Sequence, residues 1–399
     1  MQWFKKVGVV LIVLVVIWSC DTGSPEPHKA SALREITSQE KILINQSNQL
    51  LFQYFQVLEK ENTKQNIFFS PISIGMTLGM VNNCATGATK SQLQDAFGFT
   101  GFSDAEINKS FSELNLFLQS LDQEVKIGMA NTFWHRHNVK VAQAFKDIIM
   151  AYYDADAESI NFRSNHLHKY INRIIENKTK GQVTSALDKI NPDFESFIYN
   201  AAGFSASFEN KFEAVIKSRF TVGKNNEIST PFFFKEAGVY RYFEDEITLA
   251  VDIPLGNSQF SLMTLMPKKS IANKLDFYQF NDIASRMDTA LLNFSMPVFK
   301  TESEFDLNSL FAQTGFPKII DGTAYYRIGD KGEHVSVNKL MHRAAIDLSQ
   351  SIENIANKNL KSSELPPNLI TIDRPFFYFI KEKHTGLIMF AGKVMNPGA

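Results

Sequence analysis

An α+β fold in one large domain is what this sequence predicts. Apolar residues recur at helical spacing in its first part, and aromatic and β-branched runs dominate later. No linker composition separates the two. The 399 residues allow two average domains or one large mixed one, and 44% hydrophobic residues supply a sizeable core. Phe is frequent, and it clusters at Ile67–Phe69, Pro231–Phe234 and Pro375–Phe379.

From Glu40 to Leu58 the residues Leu43, Leu50, Leu51, Tyr54, Phe55 and Leu58 mark one face of a helix. Ile67–Phe69 reads as a short buried strand. Ser70-Pro71 then reads as an N-cap with Pro at the first position of a helix running to Asn82. Thr86–Phe97 reads as another helix, Ile127–Val141 as strand, and His168–Thr179 as a helix that Gly181 stops. Ile198–Phe208 and Thr248–Met266 are strand-like. Arg374–Val394 reads as two strands joined by the turn Lys383–Gly386.

The N-terminus reads as an export signal. Lys5 and Lys6 precede the apolar run Val7–Ile17. At about 1.5 Å per residue this run is too short to cross a hydrocarbon core of about 30 Å. It fits a signal peptide better. Ile17-Trp18-Ser19-Cys20 resembles a bacterial lipobox, although Trp18 is bulky for it. The expected division is a signal over 1–19, lipidated Cys20 and a tether over 20–38, and the domain over 39–399. The expected location is an exported lipoprotein at the cell surface or facing the periplasm, with ordinary secretion as the alternative. Cys84 is the other cysteine, so with Cys20 lipidated the fold stands without a disulfide.

Formal net charge is −1 and no basic stripe is present, which argues against a nucleic-acid partner. Gly203-Phe204-Ser205-Ala206-Ser207 lacks the second Gly of a nucleophile elbow. Gly87-Ala88-Thr89-Lys90-Ser91 lacks the Gly-Lys pair of a phosphate loop. His135 with His137, and His166 with His168, have a spacing that could hold a metal on a strand. Exposed polar positions on an edge or at a helix start are the preferred reading. An enzyme, a metal and a cofactor are therefore not expected.

Taken together, the motifs from Ser38 to Pro397 resemble those of a serpin. They are Asn66–Ile74, Ala85–Thr89, Ala130–Val141, Ile171–Val183, Ile253-Pro254-Leu255, Leu265-Met266-Pro267, Pro297–Leu307, Asp373–Ile380 and Phe390–Pro397. The resemblance implies a large central mixed sheet, smaller sheets, about eight or nine helices and an exposed reactive-centre loop. It also implies a monomer that inhibits a serine or cysteine protease without catalytic residues of its own. The protease cuts the loop and becomes acylated, and the freed end enters the sheet as a new strand. The membrane is a further partner if Cys20 is lipidated. Ser70, Ser73, Asn200 and His342 match the polar cluster beneath the opening of that sheet, and Phe208 stands where the family has Trp. Val298 and Gln350 replace a Lys and a Glu that pair in the family, so both charges are absent together.

His342-Arg343-Ala344 sets the register that makes Gln350 the loop base. The small residues of inhibitory members are replaced by Ser351–Asn359, with Ala356 the one Ala. In an inserted strand, alternate residues enter the core. In the family register these are Glu353, Ile355, Asn357 and Asn359. Protonating Glu353 at pH 7 alone costs about 3–4 kcal/mol. About 3 kcal/mol on the insertion barrier would slow it roughly a hundredfold. Glu364-Leu365-Pro366-Pro367 resembles the segment after the scissile bond, which points to Ser363–Glu364, with Lys361–Ser362 as the alternative. Two functions follow: an inhibitor acting by loop insertion, or a non-inhibitory member serving as a binding module, carrier or plain protease substrate.

Overall fold

The computed structural model describes residues 33–223, 226–269, 275–316, 328–329, 331, 333–348, 355–357 and 365–399. Helix α1 (Ser38–Glu61) opens with a capping box. The Thr37 hydroxyl accepts from the Glu40 N–H, and the Glu40 carboxylate accepts from the Thr37 N–H. Strand β1 (Ile67–Phe69) is wholly buried. The Ser70 hydroxyl then caps α2 (Pro71–Asn82), which has Pro at its first position. Every residue of α2 is buried, so it shows no amphipathic stripe. It lies between the two sheets of the molecule.

The smaller sheet has five strands in the order β10 (Lys300–Asp306), β11 (Val337–Asp347), β4 (Ser196–Ser205), β2 (Lys126–Arg136) and β3 (Ala155–Ile160). The larger sheet has ten. Its path runs β1, β15 (Ile388–Val394), β14 (Phe376–Glu382), β8 (Phe260–Pro267), β7 (Thr248–Leu255), β6 (Asn226–Glu244), β5 (Ala214–Gly223) and β12 (Ala356–Asn357). Off this path, β9 (Asp288–Pro297) pairs with β6 and with β13 (Leu369–Thr371). Helix α2 touches β15 of the larger sheet and β4 of the smaller one.

Within the described residues there are eight helices, and the α+β architecture expected from the sequence is present. Four of the eight were legible: α1, α2, α3 (Gly87–Ala96) and α6 (Leu167–Lys178). The stop after α6 was legible too. Lys180 and Gly181 both adopt positive φ there, and the Gly181 N–H donates to Glu176 O. Helices α4 (Asp104–Ser120), α5 (Gln143–Tyr153), α7 (Phe277–Arg286) and α8 (Leu307–Gln313) were not read from the sequence.

Three expectations need correction. Thr248–Met266 is a hairpin and not one strand: Gly256 and Ser258 adopt positive φ, and Asp122 accepts from the Asn257 N–H. The strand expected over Ile127–Val141 ends at Arg136, where a turn returns the Val139 N–H to Arg136 O. His135 is buried and not exposed, because β2 is flanked by β3 and β4 and is no edge. His137 is exposed and bonds the Ser159 hydroxyl at 2.9 Å. No group of three or more His, Cys, Asp or Glu among the described residues is placed to hold a metal.

Two cores form. The main one lies between the sheets and beneath α1. A smaller one lies on the opposite face of the five-stranded sheet, where Ile171 and Ile175 of α6 pack with Trp134, Phe197 and Tyr199. Cys84 is a buried free thiol, and burial pushes its pKa up.

Candidate functional site

Strands β4 and β11 are direct neighbours and run parallel, from Val337 opposite Ser196 to Ile346 opposite Phe204. Each has an antiparallel partner on its other side, β2 for β4 and β10 for β11. The seam between them is the parallel pairing at the middle of the five-stranded sheet.

Asn200 and His342 stand opposite each other across this seam and face α2. The Ser70 N–H donates to His342 Nε2 at 3.1 Å. That leaves the ring hydrogen on Nδ1, which donates to Asn200 Oδ1 at 2.5 Å. The Ser73 hydroxyl donates to the same oxygen at 2.9 Å. Asn200 Nδ2 donates to Asn131 Oδ1 at 2.7 Å, and Asn131 Nδ2 donates to Tyr153 O at 2.8 Å. The Ser70 hydroxyl donates to Met389 O in β15 at 2.8 Å. Burial holds the His342 imidazole neutral, with its pKa pushed down to about 3. The network thus joins both strands of the seam to α2 and to the larger sheet.

The other face of the seam carries a second network. Tyr199 precedes Asn200 on β4 and so points to the opposite face. Its hydroxyl lies 2.7 Å from Ala186 O and 3.0 Å from Glu304 Oε2 of β10, having passed over β11. Arg343 of β11 donates to Glu302 and Glu304, each at 2.8 Å. Burial works against the Arg343 charge, and the two carboxylates more than offset it, so its pKa is raised. Burial, and then Glu304, raise the pKa of the Tyr199 hydroxyl, which stays protonated.

The segment after α6 lies directly on this face. A Cβ on Gly128 of β2 would stand 2.5 Å from the Thr179 backbone, and one on Gly203 of β4 would stand 2.2 Å from Gln182 Cβ. Only glycine admits so close a strap. Asn172 of α6 clips it further on, accepting from the N–H groups of Ala186 and Leu187.

Phe208 follows β4 and is buried, edge-on to Phe212 at 4.8 Å and to Phe233 at 5.2 Å. Val298 is buried. Of the loop, Ile355 packs half-buried against the main core, and the backbone of Ala356 and Asn357 pairs in parallel with Ala214 and Val215 of β5. Gln350, Glu353, Lys361, Ser362, Ser363 and Glu364 lie outside the described residues, as does Cys20. Sequence reasoning missed Asn131, Tyr199, Arg343 and Glu304. Their partners sit on other strands, and no local spacing signals them.

A profile described as Serpin (serine protease inhibitor) matches residues 45–397, so the chain belongs to the serpin family. An uncharacterized serpin-like protein of Thermococcus kodakarensis is 24% identical over 92% of this chain and 88% of its own length. Human neuroserpin is 23% identical over 97% of this chain and 96% of its own length. The structure of human thyroxine-binding globulin in complex with thyroxine superposes with a TM-score of 0.78 at 20% identity, covering 90% of this chain and 100% of the other.

Proposed function

We propose that this chain is a serine-protease inhibitor that acts by cleavage of its loop and insertion of the freed end between β4 and β11. The carrying observation is the orientation of that seam. A segment that continues from β11 and turns back runs antiparallel to β11. Because β4 is parallel to β11, the same segment is antiparallel to β4 as well. Insertion therefore exchanges one parallel pairing for two antiparallel ones, and antiparallel pairs are slightly more stable per residue. The partner is a serine or cysteine protease that cuts at Ser363–Glu364 or Lys361–Ser362, and the chain itself performs no catalysis. The test is to nick the purified chain between Lys358 and Pro367 and compare melting temperatures. A large rise supports insertion, and no rise refutes it.

A second reading, a non-inhibitory serpin, is favoured by one observation. Ala356 and Asn357 add to the edge of the larger sheet at β5, away from the seam. A loop held there, with the charged Glu353 in its hinge, serves as a binding or cleavable element only. We also propose export and a lipid on Cys20. Mass spectrometry of the mature N-terminus tests this, and an unmodified Cys20 thiol would refute the anchor.

A further inference from the structure

The hydroxyl of Tyr199 sits where the two faces of the seam can be compared at one register. Beneath the sheet, Asn200 and His342 bond across the seam. Above it, one residue earlier, Tyr199 bonds to Glu304 on β10, two strands away, with β11 between them. The same hydroxyl touches Ala186 O on the strap from α6. It has one hydrogen and two acceptors, so strap and sheet share it. Glu304 is oriented by Arg343, which also holds Glu302.

This arrangement exists only while the seam is closed. Strands lie about 4.8 Å apart. A Tyr and a Glu reaching toward each other span two spacings, about 10 Å, and they cannot span three, about 14 Å. A strand placed between β4 and β11 adds the third spacing. The Tyr199–Glu304 contact must break before that strand can enter, and it cannot re-form afterwards. Arg343 and its two carboxylates all lie on β11 and β10 and move together, so those ion pairs survive.

We propose that Tyr199 is a positioning residue for the insertion step: its hydroxyl fastens β4 to Glu304 over β11 and sets the rate at which the seam opens. The inference rests on the seam being the insertion site. It does not require the chain's own loop to be competent.

The experiment separates these by supplying the strand from outside. Purified chain is incubated with an acetylated twelve-residue peptide of alternating Thr and Ala, and its uptake is followed on native gels. Tyr199→Phe removes one oxygen and keeps the ring. We expect it to take up the peptide about tenfold faster than the parent. We also expect the melting temperature to fall more for the free protein than for the peptide-filled form, where the Glu304 contact is already lost and only the bond to Ala186 O is left to lose. An ordinary packing role would lower both temperatures alike. Equal uptake rates, or equal falls in both forms, overturn the proposal. If Tyr199→Phe does not fold, Glu304→Ala, at an exposed position, removes the contact across β11 and must also accelerate uptake. A parent chain that takes up peptide but gains no stability on nicking refutes the inhibitor reading alone.

Discussion

His342 is the residue at which chemistry and conformation meet. Its imidazole accepts from one backbone and donates to one side chain, so a second ring proton would have no acceptor. In the unfolded chain it takes up that proton near pH 6.5. In the folded chain it does so near pH 3. Its folded pKa is depressed, so its share of stability is complete above pH 6.5 and is lost as pH falls from 6.5 toward 3. The slope is up to about 1.4 kcal/mol per pH unit. Between pH 7.5 and 5.0 the parent should lose about 2 kcal/mol more than His342→Gln in urea unfolding. Parallel pH dependences would show that His342 does not titrate in this way. Four members of this network could be placed from the sequence: Ser70, Ser73 and His342 because each sits in a motif resembling the family's, and Asn200 because it matches a family position. Asn131 joins it through a side-chain amide on a neighbouring strand, and no motif marks that bond.

At the scale of elements, the strap after α6 is pressed against β2 and β4 through two glycines. Gly203→Ala should destabilise the protein by about 1–3 kcal/mol, the range for overpacking. Adding Gln182→Gly should recover most of that loss, because Gln182 Cβ is the nearest atom. Chemical denaturation of the single and double variants measures it, and no recovery would place the cost elsewhere. The loop is the other element in question. Replacing Glu353 with Thr and Asn357 with Ala gives a strand with no charge in the buried set. We expect the nicked double variant to insert up to about a hundredfold faster than the parent, from the same ~3 kcal/mol that slows it. An unchanged rate would show that the hinge chemistry does not limit insertion. Elements with strong local signals, such as the Ser70 cap followed by Pro71, follow the sequence closely. The hairpin at Gly256 was hidden because both its strands are apolar and almost wholly buried on either side of four turn residues.

The whole molecule places the smaller core, and with it α6, apart from the main one. The α6 layer can therefore open while the core between the sheets stays packed. The loop, which passes beneath it if insertion occurs as proposed, is tied at both ends, to β11 in the smaller sheet and to β13 in the larger. The hairpin of β14 and β15 closes the larger sheet between β1 and β8, and the Ser70 hydroxyl meets Met389 O across 319 residues of chain. Contacts of that range form late. For a newly made chain this creates a contest in time. Strands β4 and β11 are synthesised before β13, β14 and β15, so the loop could fold back between them while its downstream end still hangs free. Capture of that end by β9 removes the opportunity. If the seam accepts a strand as proposed, the order of arrival of strands decides whether a cell obtains the chain with its seam closed or already filled by its own uncut loop, and a delay in finishing the last thirty or so residues, about one to several seconds at ordinary rates of synthesis, shifts the yield toward the filled form.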